Sequence, residues 1–187
     1  MYPYPYPYYA YPPMRDCYNI PDYQSMSNAS GYTNYFWPYP NTQGYIGAIL
    51  KDHGKDPFVV NINQAAKQNN TFRTAIWTGN HLQVTLMSIN VGEAIGLELH
   101  PDVDQFLRIE EGQGLVQMGK SKDSLNFVRH VCDDSAIMVP AGTWHNVTNI
   151  GNTPLKLYSI YAPPEHPFGT VHKTKADAIA AEENESG

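Results

Sequence analysis

Three side chains with metal-binding chemistry, and a fourth that could join them, recur at turn-separated positions in this 187-residue sequence. Glu98 and His100 flank Leu99; on a strand, residues two apart share a face, so the pair points together while Leu97 and Leu99 point away. Pro101-Asp102-Val103-Asp104 is a turn, and Gln105 opens the next strand in parity with Leu107 and Ile109. Gln105 therefore shares an inward face with apolar residues, where an amide needs a partner. Much later, the turn Pro140-Ala141-Gly142-Thr143 delivers His145 to the start of a strand on which His145, Val147 and Asn149 share a face. A carboxylate, two imidazoles and an amide oxygen make a cage for one divalent metal ion. Glu98, His100 and His145 are the two-His-one-carboxylate set that leaves positions open on non-haem iron. Iron(II) or manganese(II) is the expected ion, with zinc or nickel as alternatives. The same groups could instead satisfy one another through hydrogen bonds and a water. Burying an unpaired carboxylate is expensive, however, and a cation relieves that cost most simply.

Other polar residues offer weaker readings. His166 and His172 frame a Pro- and Gly-bearing loop after the last long strand, where either could act as an acid or base at the barrel mouth or serve as a surface residue. Asp102 and Asp104 read as solvated turn residues, or as groups that orient His100 from behind. Alternation turns Trp144 and Arg108 away from the cage, and Glu110-Glu111 reads as strand-end surface. His53, His81 and His130 have no ligand-like spacing.

The elements that must hold these residues are short strands. TAIWT (74–78), LQVTLMSI (82–89), IGLEL (95–99), QFLRIE (105–110), GLVQM (114–118), LNFVRHV (125–131), AIMV (136–139), HNVTNI (145–150) and LKLYSIY (155–161) are rich in β-branched and aromatic residues and separated by Gly, Pro, Asn and Asp. Nine strands without intervening helices predict an all-β sandwich or barrel. A short helix is expected at 62–67, closed by Asn69-Asn70, and another at 174–183 with Thr174 as N-cap.

Composition changes near residue 45. Twelve of the 14 tyrosines lie at or before Tyr45, interleaved with eight prolines and few aliphatic residues, so residues 1–44 read as an extended or disordered tail. Residues 45–187 are then one domain, with its barrel core at about 74–163. A net charge of −6, with only 12 Lys and Arg and no basic block, argues against nucleic acid. No apolar run approaches the roughly 18 residues of a membrane helix, and the start lacks the basic and apolar regions of a signal peptide. Cys17 and Cys132 form no disulfide framework. A cytoplasmic location follows as the expectation.

The stretch GEAIGLELHPDVDQFLRIEEG (92–112) resembles the first cupin motif, Gly-x5-His-x-His-x3–4-Glu-x6-Gly, and PAGTWHNVTN (140–149) resembles the second, Pro-x4-His-x3-Asn. The resemblance spans the central half of the chain. It implies a double-stranded β-helix, the jelly-roll barrel, with its metal at positions 98, 100, 105 and 145. Two positions depart from the pattern: Glu98 stands where a His is usual and Gln105 where a Glu is usual. Charge is nonetheless conserved, because the single anion has moved from one ligand position to another. The stretch 162–178 is similar to small bacterial cupins of the sugar-phosphate-isomerase-like branch, and the Tyr-Pro tail is similar in composition to segments of endospore coat proteins. The resemblance thus implies a metal-dependent oxygenase of a small organic molecule, a non-catalytic barrel tethered by its tail, or an isomerase. The isomerase reading lacks a visible Lys or Arg grip for phosphate. A homodimer is implied by the resemblance alone.

Overall fold

The computed structural model describes residues 50–185, with the side chain of Glu185 left aside. The expected tail, residues 1–44, lies outside them. Nine strands and two helices follow in order. They are α1 (Ile62–Gln68), β1 (Arg73–Thr78), β2 (Gln83–Ile89), β3 (Asp104–Glu111), β4 (Gln113–Gly119), β5 (Phe127–Cys132), β6 (Ala136–Val139), β7 (Trp144–Asn149), β8 (Leu155–Ala162), β9 (Val171–His172) and α2 (Lys175–Glu185). The strands pair antiparallel in two sheets, ordered β6-β3-β8-β2-β1-β9 and β5-β4-β7. This is the expected all-β double-stranded β-helix. No described helix is long and apolar enough to cross a membrane.

Alternation builds the interior. Along β3, Gln105, Leu107 and Ile109 are buried, and along β7, His145, Val147 and Asn149 are. With Met87, Ile89, Val116, Leu155 and Leu157 these apolar side chains form the main core. Each fully buried Leu, Ile or Val contributes about 1.5–3 kcal/mol. Register makes one end of the lumen polar. Leu157 of β8 stands opposite Met87 and Ile109, whereas Tyr161, four residues on, stands opposite Gln83 and Gln105.

The outer face of β2 buries Leu86 against Ala65, Ala66 and Ile76, so α1 packs on the outside through two alanines. Asn61 caps α1 by accepting from the Gln64 amide. A cavity of about 340 Å³ on that side, lined in part by Phe58, Val60, Ile76 and Trp77, shares no residue with the metal-type cluster.

Two strand expectations need correction. IGLEL is no regular strand, because within it only Glu98 forms a bridge, with a second isolated bridge at Ala94 just before it. Glu110 is not surface: it is fully buried, bonded to Arg108 and Asn63. It keeps the outward parity of Arg108 but lies beneath α1, whose Asn63 donates to it, so the helix covers a strand face that would otherwise meet water.

Candidate metal centre

A one-residue bulge aims Glu98. Ala94 opposes Thr148, and Glu98 opposes His145, so four steps on one segment match three on the other. The extra residue falls at Gly96, whose φ of +117° is disfavoured for a residue with a Cβ. A regular register would set Leu97 opposite His145; instead Leu97 is exposed and Ile95 enters the core. Reciprocal backbone hydrogen bonds of 2.9 and 3.0 Å then lock Glu98 and His145 side by side. The Gly142 amide donates to the His100 carbonyl at 2.8 Å, tying the turn that delivers His145 to the other histidine.

Ligand atoms of Glu98, His100 and His145 lie within 4.8 Å of one another. Glu98 Oε2 is 3.5 Å from His100 Nε2 and 3.8 Å from His145 Nε2. The outer ring nitrogens are already committed: His145 Nδ1 donates to the Thr143 carbonyl at 3.0 Å and His100 Nδ1 to Glu165 Oε1 at 2.9 Å. In the neutral rings both Nε2 lone pairs therefore face Glu98, as in the carboxylate-backed histidines of metal sites. Glu98 Oε2, His100 Nε2, His145 Nε2 and Gln105 Oε1 are all buried without a hydrogen-bond partner. Gln105 spends its amide N–H on Ser159 Oγ at 3.0 Å, which leaves its oxygen as the unmatched acceptor. With both rings neutral, the three clustered atoms of Glu98, His100 and His145 are buried acceptors lacking donors, a set that fits a divalent cation.

Electrostatics agree with that donor set. Burial opposes charging Glu98, yet contact with His100 and the charges of Arg73 and His145 hold its pKa below the usual carboxylate value. Burial pushes the His145 pKa down. It also opposes charging His100, but the Glu165 hydrogen bond and the Glu98 carboxylate outweigh it and raise the pKa to about 9. At 3.5 Å the Glu98–His100 contact is an ion pair and not a formed hydrogen bond. A bound cation would take the place of the His100 proton.

The structure adds residues to which the sequence gave no role here. Arg73, on β1, is in register with Met87 and so enters the lumen, where Nη2 reaches Glu98 Oε1 at 3.4 Å. Glu165, 65 positions from His100, is the residue that orients it. Asp104 instead accepts from the Ala141 amide, and Asp102 is exposed. His166 is drawn to this end: Gln83 holds its backbone through two hydrogen bonds, and its ring meets Tyr161 edge-on at 5.0 Å. Burial and the charges of Arg73, His100 and His172 depress its pKa, so it stays neutral. His172 lies on β9 opposite Arg73, half-buried. Of the remaining histidines, His81 and His130 are exposed and His53 stacks on Phe58.

Comparison with known proteins places this geometry. The cupin domain profile matches residues 85–161. The chain is 78% identical over 135 residues to YrkC of Bacillus subtilis, described as uncharacterized, covering 72% of this chain and 73% of that protein. It is 43% identical over 116 residues to L612 of Acanthamoeba polyphaga mimivirus, covering 61% of this chain and 70% of that protein. A crystal structure of BH2720 from Bacillus halodurans aligns with 69% identity and a TM-score of 0.69, covering 70% of this chain and 98% of that one. The two cupin motifs, the barrel and these relatives agree: the chain belongs to the cupin family.

Proposed function

We propose that this cupin holds one divalent transition metal through Glu98, His100 and His145, with Gln105 Oε1 as fourth donor, and uses it to oxygenate a small organic molecule. The buried cluster of Glu98, His100 and His145, whose facing atoms lack hydrogen-bond partners, carries the metal reading. Iron(II) or manganese(II) suits two imidazoles and a carboxylate, with zinc or nickel as competitors. Such an ion supplies Lewis acidity and, for iron, a meeting point for substrate and dioxygen. The protein's share of the work is positional. Glu165 and Thr143 fix the imidazoles, Arg73 steadies Glu98, and the apolar core closes the far side of the site to water.

Elemental analysis of tag-free protein is expected to give close to one ion per chain, lost in His145→Ala. Oxygen consumption by the iron-loaded chain against diketones, thiols, phenols and small organic acids tests the reaction. Substoichiometric metal that His145→Ala leaves unchanged would refute the site, whereas full iron without oxygen uptake on any of them would refute the oxygenase reading. The Tyr-Pro composition of residues 1–44 favours a second role, tethering the barrel to an assembly such as a spore coat. Deleting that segment and following the chain's location in the cell tests it.

A further inference from the structure

Arg73 is the largest wholly buried side chain among the described residues, at 1% exposure, and much of its donor capacity is unused. Nη2 is 3.4 Å from Glu98 Oε1, Nη1 stands 3.8 Å from Glu182 Oε1, beyond hydrogen-bond reach, and Nε and Nη1 have no hydrogen-bond partner. The Tyr161 hydroxyl stands near the guanidinium without meeting hydrogen-bond geometry. A buried cation with idle donors is costly, and a planar fork is matched by a carboxylate.

We infer that Arg73 anchors the carboxylate of a small 2-oxo or 2-hydroxy acid whose neighbouring oxygen reaches the metal position. This rests on the metal site proposed above. Three observations set the ligand class. First, Glu98 turns one oxygen to Arg73 and the other to the two histidine nitrogens, so a group about as wide as one carboxylate, in contact at each end, bridges the guanidinium and the metal position. That is the span between the carboxylate of a 2-oxo acid and its neighbouring oxygen. Second, with Glu182 turned outward and both imidazoles neutral, a dication and Arg73 against Glu98 and Glu165 leave one net positive charge. A monocarboxylate neutralises that charge, and a phosphate dianion overshoots it. Third, Glu182, on α2 and 57% exposed, already presents a carboxylate to the fork at long range and can turn outward to water. It holds the position that the ligand's carboxylate takes, so the two compete.

The test uses the full chain loaded with manganese(II), with bound metal followed by electron paramagnetic resonance and ligand binding by calorimetry. The probes are pyruvate, its neutral analogue acetol, and inorganic phosphate. Pyruvate is expected to bind more tightly than either of the others. Arg73→Lys, which keeps the charge and removes the fork, is expected to weaken pyruvate by about tenfold or more in the manganese-loaded fraction, whatever its manganese content. Glu182→Gln is expected to tighten pyruvate by about threefold or more by removing the competitor. Pyruvate binding equally well to Arg73→Lys, acetol matching pyruvate, or phosphate exceeding it would each overturn the inference. Should Arg73→Lys fail to fold, Glu182→Gln decides, because unchanged pyruvate affinity there overturns it. A wild-type chain that takes up no manganese refutes the metal reading itself; one that takes up manganese but no pyruvate refutes the anchor alone.

Discussion

Metal binding at neutral pH is expected to expel about one proton, and that proton belongs to His100. The ring is held between Glu165 at 2.9 Å and Glu98 at 3.5 Å, and its pKa stands at about 9, raised from 6.5. At pH 7 the metal-free ring is therefore almost wholly an imidazolium, with about one proton in a hundred missing. His145 and Glu98 contribute nothing, since both pKa values are lowered and both groups are already deprotonated; Gln105 has no proton to give. Competition with one proton makes the apparent affinity at pH 7 about 100-fold weaker than above pH 9, rising about tenfold per pH unit between. Calorimetric titration of manganese(II) in buffers of different protonation enthalpy counts the proton directly. Glu165→Gln removes the larger of the two attractions, so proton release at pH 7.5 should fall. The sign for the metal-free fold is opposite. A raised pKa stabilises fully below 6.5 and is lost as pH rises through about 9, whereas Glu98's lowered pKa stabilises above its ordinary 4.5 and is lost as pH falls. Metal-free protein should thus be most stable between those limits. Release of no proton, or of two, would show that the clamp on His100 is wrong.

Further outcomes follow from the packing around the cluster. Gly96→Ala meets no atom within 4 Å, so its cost is backbone strain alone, about 1–3 kcal/mol. Metal affinity should fall at least about tenfold while circular dichroism still reports a barrel, because relaxing the bulge moves Glu98 away from His145. Leu107→Ala, at a wholly buried position remote from the ligands in function, should lower unfolding free energy by about 2–5 kcal/mol in urea and leave metal stoichiometry at one. Gln83→Ala removes both tethers on the His166 backbone; hydrogen exchange at 163–170 should accelerate, with metal content retained.

The inward faces of Gln105 and His145 were legible because alternation is a local property and β3 and β7 obey it, whereas His100 sits between strands and is held by Glu165 and by the Gly142 amide. Glu98 was placed with its partners for an incomplete reason. Even parity along an unbroken strand would have sent Ile95, Leu97 and Leu99 to one face together, but the bulge at Gly96 puts Ile95 inside with Glu98 and leaves Leu97 outside. A lone Gly in an apolar run signals such an irregularity without saying which residue it redirects. Glu110 failed because α1 covers its outward face, a tertiary contact that strand parity does not carry. Arg73 and Glu165 were hidden by a different limit. Each meets the cluster across the fold, 25 positions from Glu98 and 65 from His100, and strand order decides which distant side chains share a lumen. The absence of a cationic grip in the motif strands therefore did not mean its absence from the site. Arg73 arrives from β1, beside β2 and β9. A ligand set can be written in two short motifs, but the groups that give it charge balance and a preferred anion come from strands whose adjacency only the folded barrel creates.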